Sequence, residues 1–334
     1  SRVSADVISC LGMDTPSPVS TVTGAERTET PFFASDMPSG LSGSDADNSS
    51  YSPVVADFQG QWALEKIQAL PSLRYAGEDP PVLVAVLDTG INASHEELTG
   101  RVVAAVNLGS SDTTDDVYGH GTPIAGIIAA ADDGLGVIGL APQSCLINVK
   151  VADDNGKCRL SALAEGIIWA VDNGALVINI SIELTESAPA LQEAVDYAWD
   201  SGAVVVAAAG NDAGSQPVYP ASYENCIAVT AIREDGTLAP LANYGDWVDV
   251  AAPGFNIYSI LPGNGYGYKH GTSFAAAYVS GLAALLFPVM TDTSGDGRLN
   301  DEVRRAIESG CEAIDIAGTG RGSINVADSM ETIS

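Results

Sequence analysis

Short, almost uniformly apolar runs recur through the middle of this chain: Pro81–Leu87, Cys145–Val151, Ala175–Ile180, Ala203–Ala209 and Cys226–Ala231. Continuous apolarity over so few residues predicts strands covered on both faces rather than strands with one wet side. Between the runs lie stretches of helical character at Thr122–Ala131, Leu160–Asn173 and Ala190–Ser201, and a short helix is expected at Trp62–Ile67. This alternation predicts an α/β chain in three layers, a mostly parallel central sheet with helices on both faces. In such a sheet the chemistry belongs at the carboxyl ends of the strands.

Composition excludes several function classes. The net charge is −29, and residues 1–56 carry only 7 acids against 2 bases, so most of the excess lies in the remainder. Nucleic acid is therefore not an expected partner, because phosphate binding needs a basic surface. Solubility is the ordinary consequence of such acidity, and adaptation to salt is the sharper reading. No apolar run approaches the ~20 residues of a membrane span, and no basic-then-apolar leader is visible. The five cysteines, Cys10, Cys145, Cys158, Cys226 and Cys311, are too few for a disulfide scaffold, and their odd number leaves at least one without a partner in the chain.

Organisation changes near residue 56. Residues 1–56 contain 17 Ser/Thr and 5 Pro, a composition that cannot bury a core of its own. They are expected to be an N-terminal arm, linker or prodomain remnant, with one strand possible at Ala5–Leu11. Residues 57–334 form the expected folded domain.

Three residues stand out as a set. Asp88 follows an apolar run and precedes Gly90, His120 opens a helix through Gly121-Thr122, and Ser273 precedes the small-residue helix Phe274–Leu286. Singly, each has an ordinary explanation as turn former, helix opener or cap. Jointly, the order carboxylate, imidazole, hydroxyl is one known arrangement of an acyl-transfer site. A hydroxyl at a helix N-terminus also sits where developing negative charge is favoured.

With Ala209-Gly210-Asn211 added, the segments Asp88-Thr89-Gly90, His120-Gly121-Thr122 and Gly271-Thr272-Ser273 resemble the four signature segments of subtilisin-like serine proteases in order and spacing. The resemblance covers residue 57 to the end and extends to Gly134–Pro142 and Val177–Ser181. It implies the subtilisin-like form of the three-layer fold and a serine endopeptidase working through an acyl-enzyme. His120 would be the general base, Asp88 its orienter, Ser273 the nucleophile and Asn211 the oxyanion donor. His270, three residues before Ser273, is a rival imidazole, and His95 is expected only to pack.

The resemblance also implies a protein or peptide substrate bound as an added strand between Gly156-Lys157-Cys158 and Ser181-Ile182-Glu183. Ala208, Ala209 and Gly210 would form the opposite wall of the first pocket, with Val218 and Tyr219 deeper. Here the chain departs from the family: Glu183-Leu184 stands where two glycines are common, which either narrows the pocket or places a carboxylate in it. A carboxylate there would favour Lys or Arg at P1, the residue before the cleaved bond, and the alternative is that Glu183 points to solvent. Pro123 and Ala277-Tyr278 are further departures beside the triad segments, and neither removes a catalytic group.

A structural Ca²⁺ is implied at Asp57, Glu97 and the loop bearing Asp132, Asp133, Leu135 and Val137. A second candidate is Asp292, Ser294, Asp296 and Asn300, spaced like the oxygens of an EF-hand but with Val303 in place of the final acid. Asn300 also reads as the N-cap of a helix over Asp301–Ser309. The expected protein is a secreted or cell-surface monomer, inhibited by its own arm if that segment lies in the cleft. A narrow-specificity maturation or leader peptidase would use the same residues. A catalytically silent binding protein on this fold would have lost one of them.

Overall fold

The computed structural model describes residues 60–69 and 81–331, together with the backbone of Phe32–Phe33. The strand expected at Ala5–Leu11, Asp57 and the rest of the arm lie outside the described residues.

Seven strands form one all-parallel sheet: β2 (Leu83–Asp88), β3 (Val102–Asn107), β4 (Cys145–Lys150), β5 (Val177–Ile180), β7 (Val204–Ala208), β8 (Cys226–Ile232) and β9 (Val250–Pro253). Their spatial order is β3-β4-β2-β5-β7-β8-β9. The chain crosses over β2 on passing from β4 to β5, so β2 is the strand at which the winding changes direction, and its carboxyl end is the expected crevice. Asp88 is the last residue of β2, paired in register with Lys150.

Both faces are covered, which explains the continuous apolar runs. Val84 and Val86 join one core with helices α2 (Gly121–Ala129) and α5 (Thr272–Leu286). Leu83, Ala85 and Leu87 join the other with α3 (Leu160–Asp172) and α4 (Pro189–Asp200). Each buried aliphatic side chain contributes about 1.5–3 kcal/mol, so both faces of β2 anchor the strand that carries Asp88. Every residue of α5 is buried. Its small residues permit this: a Cβ on Gly281 would meet the Leu140 side chain at 2.8 Å.

The remaining elements are α1 (Trp62–Lys66), α6 (Asn300–Ser309), α7 (Val326–Glu331), a hairpin of β10 (Ile257–Leu261) and β11 (Gly265–Lys269), and a two-residue ladder in which β1 (Phe32–Phe33) runs antiparallel to β6 (Ile182–Glu183). One expectation fails at α6. Leu299, not Asn300, precedes the helix, with no side-chain cap bond. Asn300 is buried instead and donates to Trp199 O, a tertiary contact that competes successfully with local capping. Among the described residues no disulfide links Cys145, Cys158, Cys226 and Cys311 to one another.

Candidate active site

The carboxylate and the imidazole meet first. His120 Nδ1 lies 2.9 Å from Asp88 Oδ1 and 3.0 Å from Oδ2, with both side chains buried. The approach needs two glycines: a Cβ on Gly121 would sit 2.2 Å from Gly90 O, and one on Gly90 (φ +110°) 2.5 Å from Thr114 O. His120 is the residue before α2, so the helix fixes its backbone.

Three residues not singled out in the sequence hold this pair. Asp116 is buried and accepts from Thr89 Oγ1 at 2.6 Å, Gly119 N at 2.8 Å, His120 N at 3.3 Å and Thr122 N at 2.8 Å. It thereby caps α2 from outside the helix, as a carboxylate near a positive helix end. Thr89 accepts from Gly121 N through the same hydroxyl, tying the turn after β2 to the start of α2. Lys150, fully buried, donates to Thr89 O at 2.5 Å and Asp115 O at 2.9 Å and pairs with Asp154 at 2.8 Å. A lysine closing an otherwise apolar run, and an acid four residues before His120, were the available signals.

Ser273 lies in the first turn of α5 rather than before it, and its Oγ is buried with no hydrogen-bond partner among the described residues. The next residue, Phe274, sets its ring 5.7 Å from that of His120. Asn211 reaches the same helix end: its Oδ1 accepts from Thr272 N at 2.9 Å, which fixes the amide orientation and leaves Nδ2 buried without a partner among the described residues. Gly210 N donates to Thr272 Oγ1, and Asn243 Nδ2 donates to Ala209 O, so this segment is held from both sides. A buried amide donor left unmade costs about 1–3 kcal/mol, and here it coincides with a buried, unbonded hydroxyl at a helix N-terminus.

His270 is engaged elsewhere. Its Nδ1 accepts from Asn256 N, and its ring lies 4.4 Å from that of Phe255. His95 is buried, accepts from Glu97 N and packs edge-on to Tyr266.

Around this centre, Gly156, Lys157 and Cys158 form a turn closed by Asp153 N to Lys157 O and an Ala152–Cys158 bridge. Burial, with the negative charge of Asp88, pushes the Cys158 thiol well above its ordinary range, so it is a poor nucleophile. Ser181 is buried at the end of β5, Ile182 and Glu183 form β6, and Leu184 pairs with Tyr219. Val218 is buried beside them, and Ala208 ends β7 just before Ala209 and Gly210.

At the first metal candidate, Glu97 Oε1 accepts from Val137 N and Tyr266 Oη, while Oε2 is buried without a partner among the described residues. Burial first, then the nearby charges of Asp133 and Glu96, hold its carboxyl above the ordinary range. A cation would relieve both features. Asp133 Oδ1 accepts from Leu135 N, so the loop is turned by its own acid. Among the described residues no three His, Cys, Asp or Glu side chains converge as a metal cage, and a cation at Glu97 would need backbone carbonyls. The second candidate is not assembled as spaced. Asp292 accepts from Ser294, Gly295 N and Gly297 N, Asp296 pairs with Arg298, and Asn300 turns to Trp199.

Comparison with known proteins agrees with this geometry. The model of the subtilase family matches residues 79–308. The chain is 44% identical over 238 residues to the thermophilic serine proteinase of Bacillus sp. (strain AK1), covering 71% of this chain and 58% of that protein. It is 38% identical over 286 residues to thermitase of Thermoactinomyces vulgaris, covering 84% of this chain and all of that one. With subtilisin of Bacillus pumilus the identity is 40% over 269 residues, 78% of this chain and 94% of its relative.

Proposed function

The chain belongs to the subtilase family of serine endopeptidases, and from that premise we propose that Ser273, His120, Asp88 and Asn211 cleave peptide bonds through an acyl-enzyme. His120 takes the proton from Ser273 Oγ as the hydroxyl attacks the carbonyl carbon, and returns it to the leaving amine. Asp88, bonded to Nδ1, keeps the tautomer that presents Nε2 to the serine and stabilises the imidazolium. Asn211 Nδ2 and the Ser273 N–H receive the negative charge that develops on the carbonyl oxygen. Water then attacks the ester carbonyl as His120 takes its proton; the bond to Oγ breaks, the proton passes to Ser273 Oγ, and the acid product leaves.

The observation that carries this reading is the conjunction of the Asp88–His120 pair with two buried, unbonded groups, Ser273 Oγ and Asn211 Nδ2. The test is labelling with a fluorophosphonate followed by peptide mass mapping. A single adduct on Ser273, abolished in His120→Ala and retained in His270→Ala, is expected. An unmodified Ser273 overturns the assignment.

Substrate would add as an extended strand along β6, opposite the Gly156–Cys158 turn. The pairing of Phe32 with Glu183 and Phe33 with Ile182 supports this edge as the receptor for a peptide. The same pairing supports residues 1–56 as an arm that inhibits in cis until it is cut, which intact-mass analysis tests by the shortening of the chain as activity rises. A structural Ca²⁺ held by Glu97, Asp132, Asp133 and the carbonyls of Leu135 and Val137 is supported by the unbonded Glu97 Oε2; when bound it would neutralise that buried charge, and Asp57, also expected as a ligand, lies outside the described residues. Among the described residues no helix is long and apolar enough to cross a membrane. The reading is completed by a monomer, secreted or held at the cell surface, that acts on protein or peptide.

A further inference from the structure

We propose that the Glu183 carboxylate is a specificity determinant of this protease, selecting Lys or Arg as the residue before the cleaved bond. The inference rests on the peptide-binding edge proposed above and adds the chemistry of its first pocket.

Glu183 is the second residue of β6, the strand whose free edge pairs with an extended segment of the same chain. Its side chain crosses to Gly210, the residue before the oxyanion donor Asn211. A Cβ on Gly210 would stand 2.0 Å from Glu183 Oε2 and 3.0 Å from its Cδ, so the carboxyl fills the space that any other residue there would occupy. Gly210 also has φ +95°, a conformation that favours glycine. The carboxyl is thus built into the wall one residue from the reacting centre.

No described residue in that wall neutralises it. Oε2 is buried and has no hydrogen-bond partner among the described residues, and Glu183 has no ion pair with any described Lys, Arg or His. The charged group that bears on it is the acidic Asp212. Gly210 and Asn243 are the neutral neighbours; Asn243 donates from Nδ2 to Ala209 O and accepts at Oδ1 from Asp212 N and Gly214 N, and an amide carries no charge to balance the carboxylate. A buried anion without a counter-charge is costly, and an ammonium or guanidinium carried in by the substrate supplies the counter-charge. A large apolar side chain supplies none and meets the carboxyl instead.

Burial and Asp212 push the Glu183 carboxyl up to about 7, so the selecting charge is lost as pH falls through neutrality. The ratio of kcat/KM for a peptide with Arg before the cleaved bond to that for its citrulline twin isolates this effect, because groups acting equally on both substrates cancel. The full chain is incubated until activity is constant, and its active sites are titrated with the fluorophosphonate. At pH 8.5 the expected ratio is at least about tenfold, falling toward one by pH 5.5 with a midpoint near 7. Glu183→Gln is expected to flatten the ratio at all pH values. The wild-type pH profile tests the proposal even if that variant does not fold. A ratio near one at pH 8.5, a pH-independent ratio, or a clear preference for Phe or Leu overturns the assignment of Glu183 while leaving the protease reading intact. Failure to label Ser273 and to cleave any peptide overturns the protease reading itself.

Discussion

Replacing Glu183 by Gln should change the stability of the fold in a pH-dependent way, and the sign follows from the site. Burial raises this carboxyl from its ordinary 4.5 to about 7, so the folded chain holds a proton that the unfolded chain has released. Below pH 4.5 both states are protonated and the group contributes no pH dependence. Between 4.5 and 7 the unfolded state alone ionises, and stability falls as pH rises; above 7 the loss is complete. At about 1.4 kcal/mol per pH unit the loss has a ceiling of about 3 kcal/mol, reduced by whatever water reaches this partly buried side chain. Gln cannot ionise and escapes the loss. The comparison is best made in a Ser273→Ala background, which removes self-digestion, with urea unfolding of both chains at pH 4 and pH 8.5. The difference between the two pH values cancels any fixed packing change introduced by Gln. The expected result is a relative gain for the Gln chain of about 2–3 kcal/mol at the higher pH. An equal stability difference at the two pH values would mean that the carboxylate is solvated, and would refute the reasoning that it is a buried, unneutralised anion.

Other substitutions probe the parts that hold the centre. Asn211→Ala should lower kcat by about 10²- to 10³-fold, the loss known for an oxyanion donor, with little change in KM; steady-state kinetics on a peptide ester checks it, and a purely KM-borne loss would speak against the role. Asp116→Ala removes four hydrogen bonds to the turn and helix that carry His120, so kcat should fall by up to about 10²-fold through misplacement of the imidazole. An unchanged kcat would show that α2 positions His120 without it. EDTA treatment should lower the melting temperature of the wild-type chain, and less so that of Glu97→Gln, if the unbonded Glu97 oxygen is a cation ligand; equal shifts in the two would count against that site.

Much of the architecture was readable because burial on both faces leaves a local trace. The runs at Cys145–Val151 and Ala203–Ala209 became β4 and β7 within a residue or two, as did the helices between them. The edge strand β3 opens with five apolar residues, Val102–Val106, a run that was legible but not picked out; β9 is only four residues long, and β11 (GYGYK) is rich in glycine, a poor strand former. Order and spacing single out Asp88, His120 and Ser273 as a set, and the structure brings Asp88 and His120 into hydrogen-bond contact. Their supports were not legible in this way: Asp116 and Lys150 act on backbone groups of distant segments, and only the fold brings those segments together. Asn300 marks the limit of local rules, since a carbonyl 101 residues away takes the amide that capping would have used.

Whether Ser273 in α5 and His120 before α2, oriented by Asp88 on β2, act as one chemical unit is read from a cycle of kcat/KM for Ser273→Ala, His120→Ala and the double variant. If His120 serves only to activate Ser273, all three fall to the same floor, and the double variant is no slower than either single one. Losses that add on a logarithmic scale would show that the two side chains contribute independently and would contradict the account.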